Sequence, residues 1–596
     1  MKSLYYIFII ASLIAVFLAG CQPSGSPKPS SEFASVSQLD SATPVAVHMT
    51  AYSTTLLADG KDKTLLRVAV TDFDGREITS ADNSFRIYVD GDAWISKSGE
   101  KKALITAADT SGRQYMENRL ENGLCLLDFH AGTVPGKIKV EILSDTLWPA
   151  SHEIHTIPAD VALLKPTKDQ RKSPEKDDLG SSDQNQLKPA EKVTSASREK
   201  DQASTQGKDI LLPPGNDEIS LPVKNIGRMI GADISFLPQL EEWGRKFYDQ
   251  VSDKDLGTEQ RQGAEQDQGT IPDSGTKQSQ GAEQDQGIMP DSGTKQSQGA
   301  EQDQGIMPGR DKDQSRWIEK DAIELLRDHG FNHIRLRIFV NPENEEGYSP
   351  ERGFCGLDHT LAMTKRVKNA GMKLLLNFHY SDYWADPQQQ NKPLAWADLD
   401  FETLKDSLRE YTRNTLLAFE KQGTLPDMVQ VGNEVNHGLL WPDGHISNPD
   451  NLAELLKASV EGIVSVDPEM PVMMHIALGG QHEEAVFWLD NMIARGVTFD
   501  VIGISYYPRW HGTLDDLKYN LTELANRYHK YLNVVEYAVF KKEVHDIVFN
   551  LPDGLGTGTC IWEPLGTRFG GMFNESGEVQ DIILIYDELS KKYLSN

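Results

Sequence analysis

The feature that most constrains the fold is an alternation of eight short strands with helical segments, from residue 226 to the end of this 596-residue chain. The helical segments carry apolar residues three and four positions apart, and several strands are apolar almost throughout, as in sheets buried on both faces. Eight β/α pairs predict a (β/α)8 TIM barrel within 223–596. The candidate strands are 230–235, 333–339, 373–380, 428–434, 471–477, 501–507, 532–538 and 558–564.

A doubly wound open sheet is the alternative α/β fold for this alternation. It is the less favoured interpretation, because no glycine-rich phosphate loop follows the first candidate strand.

The segment 45–158 has a different pattern, with short β-type runs separated by turn signals such as Asp74-Gly75 and Asp90-Gly91. Regular spacing of this kind predicts a small all-β sandwich. The segment resembles bacterial immunoglobulin-like modules of the invasin type. Because it holds no cluster of reactive side chains, we expect a spacer, with a sugar-binding accessory role as the alternative.

Two polar tracts interrupt the chain. The segment 159–222 is rich in Lys, Asp, Gln, Ser and Pro, so it buries too little apolar area to offset its ordering entropy and is interpreted as a disordered linker. The insertion at 249–316 contains an 18-residue repeat, in which 262–279 recurs at 280–297. A repeat of this polarity does not build a solenoid, and we expect low-complexity disorder in the first βα loop of the barrel.

The N-terminus is typical of an export signal. A charged Lys2, an apolar run over 4–18 and the quartet Leu18-Ala19-Gly20-Cys21 resemble a bacterial lipobox. We expect a signal peptide at 1–20, lipidation of Cys21 and a polar tether over 21–44, so that the protein is exported and held at the bacterial surface by its lipid. An uncleaved anchor helix, or ordinary cleavage with secretion and a free thiol, are the alternatives.

Charge and cysteine content narrow the classes of partner. The net charge of −29 argues against nucleic acid as a main partner. The four cysteines are scattered without CxxC spacing, which excludes a disulfide scaffold and a cysteine-based zinc site.

Polar and aromatic residues gather where the predicted barrel strands end, which is where TIM barrels place their chemistry. Glu434 ends the fourth strand and Glu536 lies on the seventh. Hydrolysis of a glycosidic bond needs one carboxylic acid to protonate the leaving oxygen and one carboxylate to attack or to activate water. The two glutamates together therefore indicate a glycosidase site, although a single strand-end glutamate could be a salt-bridge residue.

From residue 226 onward, without the insertion, the chain resembles glycoside hydrolase family 53, the arabinogalactan endo-1,4-β-galactosidases (endo-β-1,4-galactanases). The resemblance touches seven of the eight strands. It is carried by Gly231-Ala232-Asp233-Ile234-Ser235, Arg335-Leu336-Arg337, Phe378-His379-Tyr380-Ser381-Asp382, Trp384-Ala385-Asp386-Pro387, Gln430-Val431-Gly432-Asn433-Glu434, Gly438-Leu439-Leu440-Trp441-Pro442, Asp500-Val501-Ile502-Gly503-Ile504-Ser505-Tyr506-Tyr507-Pro508, Trp510-His511-Gly512, Val534-Val535-Glu536 and Trp562-Glu563-Pro564.

The resemblance implies retaining cleavage of β-1,4-galactan, with Glu434 as proton donor and Glu536 as nucleophile. It implies that Asn433 binds the sugar 2-hydroxyl, and that Arg337, with Arg335 as a second candidate, keeps Glu536 ionised. The remaining substrate-binding candidates are His379, Asp382, Trp384, Trp441, Tyr506, His511 and Trp562, with Trp510 as a further stacking candidate.

Three positions depart from the family pattern: Asn377 where Asp is common, Gln388 where Gly is usual, and Tyr537 where a small hydroxyl residue is usual. These could narrow the cleft or shift a pKa. We expect no metal, no cofactor and a monomer. The alternatives are another retaining (β/α)8 polysaccharidase, such as a β-mannanase, cellulase or xylanase, and a silent surface lectin that captures galactan.

Overall fold

The structure is a computed structural model that describes residues 43–161 and 224–595, except 73–74, 101–105, 225, 252–315 and 568–569. The predicted signal peptide with Cys21, nearly all of the tether and linker, and residues 252–315 of the repeat insertion lie outside the described residues. The two ends of the insertion, 249–251 and 316, are described and belong to an antiparallel pair of strands, so the expected disorder does not extend to them. Among the helices that are described, none combines the length and apolarity needed to cross a membrane.

The N-terminal module is a sandwich of two β-sheets. One sheet has the strand order β1-β3-β8-β5 and the other β2-β10-β9-β4-β7-β6. Their facing sides bury one apolar cluster that includes Met49, Val68, Phe129 and Ile154. The all-β prediction is confirmed. The strands are β1 (Ala46–Ala51), β2 (Thr55–Leu57), β3 (Lys63–Thr71), β4 (Ser84–Asp90), β5 (Ala93–Lys97), β6 (Thr106–Ala108), β7 (Gln114–Arg119), β8 (Leu124–Ala131), β9 (Gly136–Leu143) and β10 (Ala150–Ile157).

The C-terminal module is a closed barrel of eight parallel strands, in the order β11-β14-β15-β16-β19-β20-β21-β22. The TIM-barrel prediction is confirmed, and the open-sheet alternative is wrong. The barrel strands are β11 (Met229–Asp233), β14 (His333–Ile338), β15 (Lys373–Phe378), β16 (Met428–Val431), β19 (Val472–Ile476), β20 (Val501–Tyr506), β21 (Tyr531–Tyr537) and β22 (Gly556–Trp562). Two short antiparallel pairs lie outside the barrel: β12 (Tyr248–Val251) with β13 (Arg316–Glu319), and β17 (Gly438–Leu439) with β18 (Gly444–His445).

Amphipathic helices form the outer layer. Asp400 caps the longest of them by accepting from the Thr403 amide, and Gly423 ends it with a left-handed φ of 77°. The helices are α1 (Leu237–Glu242), α2 (Ala322–Asp328), α3 (Leu357–Asn369), α4 (Phe401–Gln422), α5 (Pro449–Val464), α6 (His482–Ala494), α7 (Pro508–His511), α8 (Leu514–Tyr528), α9 (Lys541–Phe549) and α10 (Leu584–Tyr593).

All eight candidate strands are present, and each ends earlier than predicted. The fourth was expected to reach Glu434, whereas β16 ends at Val431. Gly432 (φ 69°) and Glu434 (φ 52°) adopt left-handed backbone conformations that a strand cannot continue. The polar ends of the predicted strands are therefore the first residues of the loops.

The sandwich packs directly on the barrel. Thr54 of the sandwich donates through its amide (2.6 Å) and its hydroxyl (2.8 Å) to the buried Glu484 carboxylate at the start of α6. The His155 ring of β10 stacks on His437 of the barrel at 3.9 Å between centroids. The sandwich thus covers loops that follow β16, β19 and β20, at the face where the barrel strands end.

Candidate active site

The site is centred on Glu434, three residues beyond the end of β16, and Glu536, on β21. A carboxylate oxygen of Glu434, one of Glu536 and a ring nitrogen of His475 all lie within 4.8 Å of one another. Carboxyl groups of retaining glycosidases are about 5–5.5 Å apart, against about 6.5–9.5 Å in inverting enzymes. The nearest oxygens of the pair are closer than the carboxyl separation of inverting enzymes, so the arrangement favours the retaining class.

Two donors hold the Glu536 carboxylate. The Tyr507 hydroxyl donates to Oε1 at 2.9 Å, and Arg335 donates to Oε2 at 3.1 Å. The same guanidinium also donates to Asp233 at 2.8 Å and to Asn433 Oδ1 at 2.9 Å. Arg335 is therefore the cation that holds both the nucleophile candidate and the residue that precedes the acid candidate.

The prediction that Arg337 holds Glu536 ionised is wrong. Its guanidinium donates instead to Glu563 at 2.8 Å, and lies 4.3 Å from the centroid of the Phe236 ring and 4.2 Å from that of Trp384. Arg335 and Arg337 both point into the barrel because they are two positions apart on one strand. Burial raises the pKa of Glu563 to about 8, against the opposing charge of Arg337.

Glu434 is held by a hydrogen-bonded chain that the sequence did not reveal. The amide of Gln430 donates to Nδ1 of His475 at 3.0 Å, so the ring proton is on Nε2, which donates to the Ser505 oxygen at 2.8 Å. The Ser505 hydroxyl then donates to Oε1 of Glu434 at 2.6 Å. Because Oε1 of Glu434 accepts from Ser505, Oε2 is the oxygen that can carry the acid proton.

The surroundings of the two glutamates differ in a way that separates their pKa values. Burial raises the pKa of Glu434 well above its usual range, and the negative charge of Glu536 raises it further. Burial also raises the pKa of Glu536, but Arg335 and the Tyr507 hydroxyl oppose that effect. When the pair holds one proton, Glu434 carries it and Glu536 is the carboxylate.

Asn433 is fixed from both ends of its amide. Its Oδ1 accepts from Arg335 and from Asn377 Nδ2, at 2.9 and 3.2 Å, and its Nδ2 donates to the Ala385 carbonyl at 2.9 Å. Asn377, the departure from the family's Asp, thus donates a hydrogen bond that a carboxylate could not. The second amide proton of Asn433 is the group that suits a sugar hydroxyl.

The prediction that Tyr506 lines the site is wrong, and its neighbour Tyr507 takes that place. Tyr506 is fully buried and donates to the Gly512 carbonyl at 3.3 Å. Successive side chains of β20 point to opposite sides of the sheet, so Ser505 and Tyr507 face the barrel axis and Tyr506 faces the helices. His511 positions Tyr507, because its Nδ1 accepts a hydrogen bond from the Tyr507 amide at 3.0 Å.

Asp382 holds loops together rather than facing the cleft. Its carboxylate accepts from the amides of Asn341 and Leu394, each at 2.8 Å, so the substrate-binding prediction is corrected for this residue. His379 is nearly buried and its Nδ1 accepts from the Ala385 amide at 3.1 Å. Burial and the charges of Arg337 and Arg335 lower the His379 pKa well below its usual value, so the ring is neutral.

The four tryptophans predicted as stacking platforms are all half-buried rather than core residues: Trp384, Trp441, Trp510 and Trp562. Trp384 covers the Arg337 guanidinium, Trp510 meets the Tyr507 ring edge-on, and Trp562 meets Phe236 edge-on. Trp441 lies in the loop after Glu434, where its amide donates to the Gln390 carbonyl at 2.6 Å. Each retains surface that a sugar could cover.

Glu434, His475 and Glu536 are also the one group of candidate metal ligands among the described residues. Both ring nitrogens of His475 already bond to protein groups, and Glu536 already bonds to Arg335. A metal would have to displace these bonds and compete with a guanidinium, so the donor set suits proton transfer and covalent catalysis better. That no metal or cofactor is needed stays a prediction.

Comparison with known proteins gives two family matches. The model of glycosyl hydrolase family 53 matches residues 297–555, and that of glycoside hydrolase family 2 C-terminal domain 5 matches 47–153. The second match agrees with a sandwich, while the resemblance to invasin-type modules is not confirmed.

Similar proteins include a probable arabinogalactan endo-beta-1,4-galactanase A of Aspergillus terreus, 33% identical over 44% of this chain and 81% of that protein. A Niallia circulans protein, described as an uncharacterized protein in the bgaB 5'region, is 40% identical over 41% of this chain and 76% of its own. Among solved structures, the Ignisphaera aggregans GH53 catalytic domain is 30% identical, with a TM-score of 0.42 over 45% of this chain and 88% of that one.

Proposed function

The chain belongs to glycosyl hydrolase family 53, and we propose that it is a retaining endo-acting hydrolase of β-1,4-galactan. The observation that carries the proposal is the close pair of buried glutamates at the ends of two barrel strands, one bound by Arg335 and the other raised in pKa. Relatives named as arabinogalactan endo-beta-1,4-galactanases support galactan as the substrate.

In the first step, the Glu536 carboxylate attacks the anomeric carbon while Glu434 gives its proton to the leaving glycosidic oxygen. The bond from carbon to the leaving oxygen breaks as the bond to the Glu536 oxygen forms, which yields a covalent galactosyl ester. Arg335 and Tyr507 hold the attacking carboxylate in place and keep it ionised.

In the second step, Glu434, now a carboxylate, takes a proton from water, and that water attacks the same carbon. The ester bond to Glu536 breaks, and the carboxylate and the protonated Glu434 are restored. Two displacements at one carbon leave the product with its original β configuration. The Ser505 hydroxyl, which bonds to Glu434, stabilises its anionic form between the steps.

The proposal is tested with linear β-1,4-galactan beside mannan, xylan and a β-glucan. We expect rapid loss of viscosity and release of short galacto-oligosaccharides from galactan alone, because internal cleavage lowers chain length faster than it releases ends. Cleavage of another polymer in preference would support the other polysaccharidases. Binding of galactan without cleavage would support the lectin.

The adjacent tyrosines give a matched pair of variants. Tyr507→Phe removes a hydrogen bond to the attacking carboxylate, and bonds to charged groups contribute about 1.5–3 kcal/mol, so we expect kcat to fall about 10- to 100-fold with little change in the melting temperature. Tyr506→Phe removes a bond on the helix side of the strand and should leave kcat within about twofold. Equal effects on kcat would contradict the assignment of Tyr507, and the rates are measured on galactan at saturation.

We also propose that the chain is exported, lipidated at Cys21 and held at the bacterial surface as a monomer. The lipobox-like Leu18-Ala19-Gly20-Cys21 supports this location, and an extracellular site suits an enzyme whose substrate is a polymer too large to enter a cell. Fractionation of cells that express the full chain and its Cys21→Ala variant tests the anchor, and sedimentation tests the monomer.

A further inference from the structure

One end of the strand pair β9 and β10 of the sandwich reaches the loops beside Glu434. In the antiparallel pair of β9 and β10, Lys137 lies directly opposite His155, and opposite residues of such a pair share one face of the sheet. Glu153 lies on the same face, two positions from His155, and its carboxylate is 3.4 Å from the Lys137 ammonium. The sheet thus presents a cation, a carboxylate and an aromatic ring together toward the barrel.

Trp441 of the barrel contacts this end of β9 and β10. The Lys137 ammonium is 4.9 Å from the centroid of the Trp441 ring, and the His155 ring is 5.6 Å from it. Lys137 also donates to the carbonyl oxygen of Gln388, one of the positions that departs from the family pattern. Residues of the sandwich therefore contact two loops of the barrel, the loop that contains Gln388 and the loop that contains Trp441.

Hydrogen bonds connect those two loops to the segment that carries the proton donor, Glu434. The Trp441 amide donates to the Gln390 carbonyl, and the Gln390 side chain donates to the Asn433 carbonyl at 2.8 Å. Through Gln390, Trp441 is therefore hydrogen-bonded to the segment that carries Glu434. A polymer in the cleft must pass loops of this kind as it extends beyond the cleaved bond.

Several hydrogen bonds between the sandwich and the barrel fix the position of Lys137. Besides Thr54, the Thr55 hydroxyl donates to the buried Glu484 carboxylate, at 2.9 Å. Arg509 of the barrel donates to the Pro149 carbonyl of the sandwich. Leaving the buried Glu484 carboxylate without these donors would cost free energy. The hydrogen bonds therefore hold the sandwich in one position on the barrel.

We propose that the β-sandwich completes the substrate cleft, with Lys137 and Trp441 together forming a subsite for a galactose unit beyond the two that flank the cleaved bond. The Lys137 ammonium lies over one face of the Trp441 ring, and the half-buried ring keeps further apolar surface for sugar C–H groups. The Lys137 side chain is 46% exposed, so its ammonium can donate to the sugar hydroxyls. The inference rests on the proposed function. It assigns to the sandwich a direct role in binding long chains, in place of the expected spacer.

The test compares Lys137→Met with Lys139→Met in the full chain. Methionine keeps an apolar stem but loses the charge and the donors. Lys139 lies on the same face of β9 and pairs with Glu141 of the sandwich, at 2.7 Å, so its variant controls for the loss of a surface lysine. For Lys137→Met we expect KM on linear galactan to rise about five- to tenfold, as for the loss of one or two hydrogen bonds, while KM on an aryl β-1,4-galactobioside rises less than twofold.

Equal KM changes on long and short substrates, or galactan kinetics for Lys137→Met that match those of Lys139→Met, would overturn the subsite. A fall in melting temperature with an unchanged ratio of the two KM values would mean that Lys137 only docks the sandwich, which also overturns it. If the unsubstituted chain does not cleave galactan, the proposed function itself fails and the subsite with it. The unsubstituted chain therefore tests the proposed function, and the two lysine variants test the subsite.

Discussion

Glu536→Ala is expected to lower kcat on galactan by about 10⁴-fold or more, because it removes the group that forms the covalent intermediate. The fold should persist, since Arg335 keeps its 2.8 Å bond to Asp233 when the glutamate is gone. The measurement is initial rate on galactan, with the melting temperature and the affinity for a galacto-oligosaccharide as checks of folding. Retention of most of the rate would show that Glu536 is not the nucleophile.

Added azide should let the Glu536→Ala variant form a product that identifies Glu536 as the nucleophile. Azide fits the space left by the carboxylate and attacks the anomeric carbon once, so with an activated aryl galactobioside we expect an α-galactosyl azide. Glu563→Gln is the matched control, because Glu563 is another buried carboxylate at a strand end but is held by Arg337. Formation of the azide by the control, or of a β-azide by Glu536→Ala, would contradict the assignment.

Glu434→Ala is expected to lower kcat on galactan by about 10³-fold or more, because a sugar alkoxide is a poor leaving group without its proton. Attack by Glu536 does not need the acid when the leaving group is good. The variant should therefore form its galactosyl ester from a dinitrophenyl galactobioside at a rate near that of the parent, in a burst followed by slow hydrolysis. Equal losses on both substrates would contradict the role.

The pH profile provides a second measurement on the same variant. The parent rate should fall as pH rises through the elevated pKa of Glu434, because the donor loses its proton. It should also fall as pH drops through the pKa of Glu536, when the nucleophile becomes protonated. Glu434→Ala should lose the alkaline limb and keep the acidic one, and survival of the alkaline limb would point to another acid.

The barrel was predictable because each element carries its own signal. Eight apolar strands with amphipathic helices between them allow few closed arrangements, and the ends of such strands meet at one face. That rule was sufficient to bring Glu434 and Glu536 together before any distance was known.

The partners of those residues were less predictable. Strand alternation shows that Arg335 and Arg337 point inward, but which of them reaches Glu536 depends on the tilt and stagger of the closed barrel. Tyr506 was predicted from the resemblance to the family, and the resemblance alone does not show which of two adjacent tyrosines faces the barrel axis. The alternation counted from Ser505 would have selected Tyr507, had Ser505 been recognised as facing the axis.

His475 and Ser505 were missed because a single polar residue inside an apolar strand is indistinguishable from a satisfied core residue. The docking of the sandwich was beyond sequence reasoning for a different reason. Thr54 and Glu484 are 430 residues apart and belong to modules with separate cores, so no local pattern links them. Lys137 and Trp441 also belong to different modules, so no local pattern links them either.

The most direct test of the central claim is the anomeric configuration of the first product, followed by proton NMR during cleavage of linear β-1,4-galactan. The close pair of carboxylates predicts that the new reducing end appears as the β anomer and drifts to the equilibrium mixture only by mutarotation. Appearance of the α anomer first would mean a single displacement by water, and would contradict the assignment of Glu536 as a covalent nucleophile.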